Sequence, residues 1–329
     1  MTTLAIKQFP FMSFRFLKAY LITMRSYLMF VSGITGILGI SFSSDLDLVK
    51  ALLISVVCFL SYGFGQALTD CFQIDTDSIS SPYRPLTQGV VKRNLFLLVS
   101  VAGLLFCISI LTYYNPVNLL LGLIAGTGLA TYTFFKRKWW AGPFYNSWIL
   151  VVLFLMAYLA GSGDIIFKLS NKVFIVAIIA VFFGYANFVL TGYFKDIEAD
   201  RATAYNTLPV VFGKKISAMI SDIFSFIASS SVLAILISSV FDSITYQTII
   251  KSLVFAFAGI SMAMLTQLNL YSVKKDDEAH KAIVPCVHTY ILLLSSLAVL
   301  NKPGLFIPLL LFYILYIVIL WIRPAKEQI

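Results

Sequence analysis

The sequence predicts an all-α fold, a polytopic transmembrane helical bundle of nine to ten spans. Of its 329 residues, 60% are hydrophobic and 12% are charged, whereas a soluble domain has roughly 45–50% apolar and about 25% charged residues. This composition excludes a water-soluble globule, and it also excludes a disordered chain, which needs low hydrophobicity. A helix that crosses a bilayer requires about 20 mostly apolar residues, and ten stretches of the chain meet that requirement.

The ten apolar stretches follow one another along the chain with connections of unequal length. The last two are separated only by residues 301–304, where Pro303 and Gly304 end one helix and allow a tight hairpin. The predicted spans are 25–43, 49–69, 94–113, 117–135, 144–162, 172–192, 216–240, 248–270, 282–300 and 305–322.

Basic residues predict which side of the membrane each loop faces, because Lys and Arg collect in cytoplasmic loops. With the N-terminus in the cytoplasm, 19 of the 24 Lys and Arg residues fall on the inner side, Lys7 and Lys326 among them. The other five lie on the outer side or at outer helix ends: Lys50, Lys168, Lys172, Lys251 and Lys302. We therefore expect an integral membrane protein, in the inner or cell membrane if it is bacterial, with both termini in the cytoplasm.

The N-terminal residues differ from the rest of the chain. Residues 9–24 combine aromatic side chains with Arg15 and Lys18, a pattern typical of a helix that lies in the membrane interface. We divide the chain into a cytoplasmic interfacial segment, 1–24, and a single transmembrane domain, 25–329.

The first of two acidic segments follows the second predicted span. Gln66 and Asp70 are one helical turn apart and share a face. If the helix continues, Asp77 shares that face, whereas Asp75 points about 140° away. Pro82 must end the helix before it.

The second acidic segment follows the sixth predicted span. Asp196 and Asp200 are spaced i,i+4, so on one helix their like charges repel. Lys195 and Arg201 could compensate them in a self-paired, solvated loop, and a bound divalent cation could do so instead. In both segments a proline follows the last acid, after eight residues from Asp77 and nine from Asp200. This parallel indicates an internal duplication that places the two acidic ends opposite each other.

Two facing carboxylate clusters with basic residues between them indicate a particular chemistry. Magnesium takes oxygen ligands and is commonly shared between one or two carboxylates and substrate phosphates. The interleaved basic residues, Arg84, Lys195 and Arg201, fit a metal–polyphosphate site better than a cation transporter. Nucleic acid is not an expected partner, because no polar domain carries a basic face.

At these residues the sequence resembles the UbiA superfamily of intramembrane prenyltransferases. The family pattern KDxxxDxxxxxxTLPxxxG matches Lys195–Gly213. The first family motif, NxxxDxxxD followed by Pro-x-Arg-Pro, is altered, since Gln66 stands where Asn is usual while Asp70 keeps its spacing. The family usually has nine spans, so the tenth predicted span is a departure.

The second aspartate of the altered motif has two candidates. Asp75 and Asp77 follow Asp70 by five and seven residues instead of four. Counting back from the Pro82–Pro85 element favours Asp77 as the family equivalent, with three residues inserted.

Three further positions match the resemblance. Tyr132 and Lys136 stand in a YxxxK element at the inner end of the fourth predicted span, and Asn146 follows in the fifth. Arg25 matches a basic residue often found at the start of the first span.

The resemblance implies a UbiA-like fold and transfer of an isoprenyl chain from a prenyl diphosphate to an acceptor, often aromatic, with release of diphosphate. It implies Mg²⁺ as the cofactor. Tyr132 would stabilise the allylic carbocation, because aromatic faces attract cations. The implied metal ligands are Asp70, Asp77, Asp196 and Asp200, with Asp75 as the competing candidate. The implied contacts to substrate are Arg25, Gln66, Arg84, Lys136, Asn146, Lys195 and Arg201.

Expected partners are therefore a prenyl diphosphate donor, a lipophilic or aromatic acceptor and membrane lipid. Two other functions remain open from the sequence. An intramembrane terpene cyclase would use the same metal site, with the chain's own double bonds capturing the cation. A transporter would need polar residues at the bilayer midplane, and the predicted spans contain few.

Overall fold

The computed structural model describes residues 8–44, 47–164, 166–241 and 244–323, and within these ranges every regular element is helical. The all-α bundle is confirmed. Lys7 and Lys326, which entered the sidedness argument, lie outside the described residues. The helices are α1 (Phe14–Met24), α2 (Met29–Ser41), α3 (Leu48–Asp70), α4 (Ile74–Ser80), α5 (Arg93–Tyr114), α6 (Val117–Lys136), α7 (Gly142–Ser162), α8 (Lys172–Tyr193), α9 (Ile197–Ala202), α10 (Leu208–Ser239), α11 (Tyr246–Ser272), α12 (His280–Asn301) and α13 (Phe306–Ile322).

The number of membrane spans agrees with the predicted nine to ten. Among the described residues, nine segments are long and apolar enough to cross a bilayer, and a tenth arises if α1 and α2 count as one broken span. The first predicted span, 25–43, was wrong in its start, because α2 begins at Met29 and has only 13 residues. α1 and α2 meet at a bend of 64°, where Arg25 adopts a left-handed backbone with φ 53°.

Both acidic segments are broken helices. α3 ends at Asp70 and α4 begins at Ile74, so the helix does not continue to Asp77, and the face that a continuous helix would give Asp70 and Asp77 in common is not formed. The backbone N–H groups of Cys71 and Phe72 bond carbonyls three residues back, which tightens and closes the last turn. α8 and α9 are separated in the same way, at residues 194–196.

The two short helices that follow these breaks pack against each other, α4 on α9. The Thr76 hydroxyl donates a hydrogen bond to Asp200 Oδ1 at 3.3 Å. The expected meeting of the two acidic segments is therefore observed.

The core of the bundle is centred on α12, most of whose residues are buried. α12 packs against α2, α8, α10 and α11. α13 lies against this core with only Leu309 and Tyr316 buried. Its remaining apolar surface is what a peripheral span presents to lipid.

We predict that Gly39→Val destabilises the bundle, because α2 crosses α7 closely at this point. A Cβ on Gly39 would lie 2.6 Å from the Phe154 carbonyl oxygen and 2.8 Å from Ala157 Cβ. Overpacking of this kind costs about 1–3 kcal/mol, so the melting temperature of purified protein in detergent should fall. Gly304→Val is the control, since a Cβ there meets nothing within 4 Å. Equal melting of the two variants would contradict the close packing.

Candidate active site

A cavity lies between α3, α5, α6, α7 and α8, and its polar end is at the α4/α9 end of the bundle. The other end is apolar, with Leu104, Leu129 and Met156 among its walls. Ten of the thirteen site residues predicted from the sequence line this cavity: Arg25, Gln66, Asp70, Asp77, Arg84, Tyr132, Lys136, Asn146, Lys195 and Asp196. Gln73, Tyr62, Tyr185 and Tyr193 also line it, and no motif pointed to them.

Asp70 is the centre of one charged corner of the cavity. Arg25 Nη2 lies 3.1 Å and 3.0 Å from its two carboxylate oxygens, and Gln66 Nε2 donates to Oδ1 at 2.7 Å. The guanidinium of Arg84 binds Asp77 Oδ2 at 2.6 Å and lies 3.9 Å from Asp70 Oδ2. The loop between α4 and α5 thus brings a cation between two carboxylates that the helix break separates.

Lys136, at the end of α6, is the centre of the second corner. Its Nζ lies 3.5 Å from Asp200 Oδ1 and 4.0 Å from Asp196 Oδ2, and it donates to Gln73 Oε1 at 3.1 Å. Asp200 is completely buried and also accepts from the Thr207 hydroxyl at 3.2 Å. Burial raises the pKa of Asp200 to about 6, although Lys136 acts in the opposite direction. Asp196 therefore faces the cavity, while Asp200 lies behind Lys136.

The carboxylates of Asp77 and Asp196 differ in their electrostatic surroundings. Burial raises the pKa of Asp77, although Arg84 opposes the shift. Burial also acts against the charge of Asp196, but Lys136 and Lys195 outweigh it and lower the pKa of this carboxyl. Asp196 is thus held as a carboxylate.

Lys195 lies between α8 and α9 and also faces the cavity. Within the described ranges no carboxylate lies within 4.0 Å of its ammonium. Burial, with Arg84 acting in the same direction, lowers the pKa of Lys195 to about 7. An anionic group bound beside it would favour its charged form.

Asp75, Asp200 and Arg201 lie outside the cavity lining, contrary to the ligand and substrate-contact roles that the resemblance implied for them. Asp75 Oδ2 accepts a hydrogen bond from Arg137 at 2.8 Å, and Oδ1 accepts one from the Tyr205 hydroxyl at 3.1 Å. The Arg137 guanidinium lies 4.3 Å above the Tyr205 ring. These contacts join α4 to the loops that follow α6 and α9. Arg201 is exposed.

Tyrosine side chains lie between the charged end and the apolar end of the cavity. The hydroxyls of Tyr132 and Tyr193 are 3.1 Å apart, and Tyr132 also interacts with Asn146. The Lys136 ammonium lies 5.5 Å from the centre of the Tyr193 ring. These rings are therefore close enough to the charged end to face a cation formed there.

The residues present fit magnesium only together with a phosphate ligand. Across 8–44, 47–164, 166–241 and 244–323, no group of three or more His, Cys, Asp or Glu side chains could hold a metal ion on its own. The four aspartates implied as metal ligands are therefore not gathered into one group, and Arg84 and Lys136 lie against them. Asp196 Oδ1 is nevertheless buried with no hydrogen-bond partner. One or two carboxylates plus substrate phosphates is the usual magnesium environment, and Asp70, Asp77 and Asp196 can supply the carboxylates.

Comparison with known proteins finds a matching family and relatives of similar sequence. A model of the UbiA prenyltransferase family matches residues 29–284. The digeranylgeranylglyceryl phosphate synthase of Thermococcus sibiricus is 30% identical over 213 residues, 64% of this chain and 74% of the relative. The enzyme of the same name from Methanocaldococcus jannaschii is 28% identical over 209 residues, 60% of this chain and 69% of the relative.

Solved structures share the fold at lower identity. A UbiA homologue from Aeropyrum pernix K1 superposes with a TM-score of 0.66 at 18% identity, over 82% of this chain and 95% of the homologue. A UbiA homologue from Archaeoglobus fulgidus, bound to DMAPP and Mg²⁺, gives a TM-score of 0.63 at 17% identity, over 86% and 99%.

We predict that Arg84→Gln destabilises the ligand-free protein more than Asp77→Asn does. Arg84 faces two buried carboxylates, Asp77 and Asp70, so its removal leaves Asp77 without its cation. Removing one partner of a buried ion pair costs about 3–5 kcal/mol. After Asp77→Asn, by contrast, Arg84 keeps Asp70 nearby. Thermal unfolding in detergent without substrate measures both variants, and a higher melting temperature for Arg84→Gln would contradict this arrangement.

Proposed function

The chain belongs to the UbiA prenyltransferase family, and from this premise we propose that it transfers an isoprenyl chain from a prenyl diphosphate to a lipophilic acceptor, with Mg²⁺ as cofactor. One observation carries the proposal. A single cavity inside a membrane bundle has a buried, charged end and an apolar end, with tyrosines between them. A diphosphate head and an isoprenyl tail have the same division of polarity.

The charged end supplies the groups that a departing diphosphate needs. Arg84, Lys136 and Lys195 would contact its oxygens through charge-assisted hydrogen bonds. Magnesium, held by Asp70, Asp77 and Asp196 together with the phosphates, would supply electrostatic stabilisation of the leaving group. Asp200, behind Lys136, would hold that ammonium in place.

Ionisation of the donor exposes an allylic cation, and the chain's aromatic residues would stabilise it. The Tyr132 ring is adjacent to the charged end, and Tyr193 is hydrogen-bonded to it. Cation–π attraction favours a positive charge near these rings. Asn146 would orient the Tyr132 hydroxyl.

Two classes of acceptor have support of different kinds. The sequence resemblance led us to expect an aromatic acceptor. The relatives at 24–30% identity are named digeranylgeranylglyceryl phosphate synthases, which favours an acceptor of the glyceryl phosphate type. We place the glyceryl phosphate class first and the aromatic class second. We also propose that the α4/α9 end faces the cytoplasm, as the distribution of basic residues indicates.

The test is incubation of purified protein with Mg²⁺, geranylgeranyl diphosphate and one acceptor at a time, followed by mass spectrometry. The acceptors are geranylgeranylglyceryl phosphate and 4-hydroxybenzoate. We expect a prenylated product and release of diphosphate only when an acceptor is present. A hydrocarbon formed without acceptor would show a cyclase instead.

Magnesium dependence is a separate prediction. Because basic side chains compensate the carboxylates of the site, the ion should be needed for turnover and not for folding. EDTA should therefore abolish transfer without lowering the melting temperature, and added Mg²⁺ should restore it. Full activity in the chelator would refute the proposed metal role.

Substitutions of the two candidate aspartates of the first motif should differ clearly in their effect on activity. Asp77 faces the cavity and Asp75 does not, so Asp77→Ala should lose most activity or demand far more Mg²⁺. Asp75→Ala should stay within a few-fold of wild type, with an unchanged Mg²⁺ requirement. Activity measured over a series of Mg²⁺ concentrations decides the ranking, and the reverse order would show that Asp75 is the ligand.

A further inference from the structure

The helix α6 presents one continuous stripe of residues to the cavity. Gly122, Ala125, Gly126, Leu129 and Tyr132 all line it, at the three- and four-residue spacing of one helix face. The two residues nearest the charged end, Tyr132 and Leu129, are large, and the three further along, Gly126, Ala125 and Gly122, are small. The residues of this stripe therefore mark successive distances along the apolar part of the cavity.

Helix geometry converts this stripe into distances. The Tyr132 hydroxyl bonds Tyr193, whose ring lies beside the Lys136 ammonium, so the first carbon of a bound donor lies near the level of Tyr132. At 1.5 Å per residue, Gly126 is about 9 Å and Gly122 about 15 Å further along the axis. An isoprene unit has four chain bonds of about 1.5 Å and extends roughly 5 Å. Gly126 is therefore level with the end of the second unit.

Gly126 differs from Gly122 in what surrounds it. A Cβ added to Gly126 meets no heavy atom within 4 Å, whereas one added to Gly122 lies 2.7 Å from the Ile108 side chain. The space in front of Gly126 thus belongs to the cavity, and Gly122 lies where helices α5 and α6 pack together. Because Gly126 has no side chain, the cavity stays open between the level of Gly126 and the level of Gly122.

We propose that Gly126 is a specificity-determining residue that allows this protein to take donors of three or more isoprene units. This inference rests on the proposed prenyl diphosphate donor and adds the length class of its tail. Without a side chain at this position, the third unit of the tail passes Gly126 and reaches the level of Gly122. A large side chain would stop the tail after two units.

The experiment measures donor binding, so it does not depend on the acceptor. Unreactive thiolo-diphosphate analogues with two, three and four isoprene units are titrated, with Mg²⁺, into wild type, Gly126→Leu and Gly126→Phe in detergent. Ala130→Leu is the matched control, because Ala130 lies one turn away on the same helix and is exposed outside the cavity. Binding of the two-unit analogue also shows that each variant is folded.

We expect wild type and Ala130→Leu to bind all three analogues. Gly126→Leu and Gly126→Phe should keep the two-unit analogue within about threefold and lose about tenfold or more in affinity for the longer two, as overpacking predicts. Equal losses for every length, or no loss for any, would overturn the proposal, since the tail would then leave the cavity before Gly126. If wild type binds the analogues but transfers no prenyl group to any acceptor, the proposed function fails while this inference stands.

Discussion

Ionised side chains buried at one end of an apolar bundle are the constraint on which the rest of this structure depends. An uncompensated charge in such surroundings is costly, and removing one partner of a buried pair is strongly destabilising. Arg25 and Arg84 compensate Asp70 and Asp77, and Lys136 compensates two further acids. The Arg25–Asp70 and Lys136–Asp200 pairs join elements that are distant in the chain, whereas Arg84–Asp77 joins α4 to the loop that follows it. Charge balance therefore positions the helix ends as well as the site.

Helix breaks make this balance geometrically attainable. Asp70 ends α3, and Asp77 belongs to the short helix that follows, so the two carboxylates can face Arg84 from different backbone directions. Asp196 and Asp200 are arranged similarly, the first at the N-terminal boundary of α9 and the second inside it. Because α4 packs on α9, the cations of the first segment, Arg25 and Arg84, and that of the second, Lys136, lie at the same end of the bundle. A helix break thus precedes both short helices of the site.

The cavity joins two environments that select a ligand in different ways. Its charged end favours anions through fixed cations such as Lys195. Its apolar end gains little from the hydrophobic effect, because a tail in the bilayer is already in hydrocarbon. The shape of the cavity then decides which tails fit. A small residue such as Gly126 matters through the space that it leaves, and not through a contact of its own side chain.

The helical membrane fold and the approximate spans could be predicted from the sequence, and so could ten of the residues that line the cavity. The length of an apolar stretch is a local property of the sequence. So is the spacing between neighbouring acids, or between Tyr132 and Lys136. Local patterns are therefore enough to identify them. The sequence also favoured Asp77 over Asp75, both by the count back from Pro82–Pro85 and by the phase of a helix that the structure breaks. Only the tertiary structure showed that Arg137 and Tyr205 hold Asp75 away from the cavity, and that Gln73 and Tyr193 complete the site. Such contacts join residues from different helices and loops. The distances between these residues depend on how the bundle packs, so they cannot be predicted from spacing along the sequence.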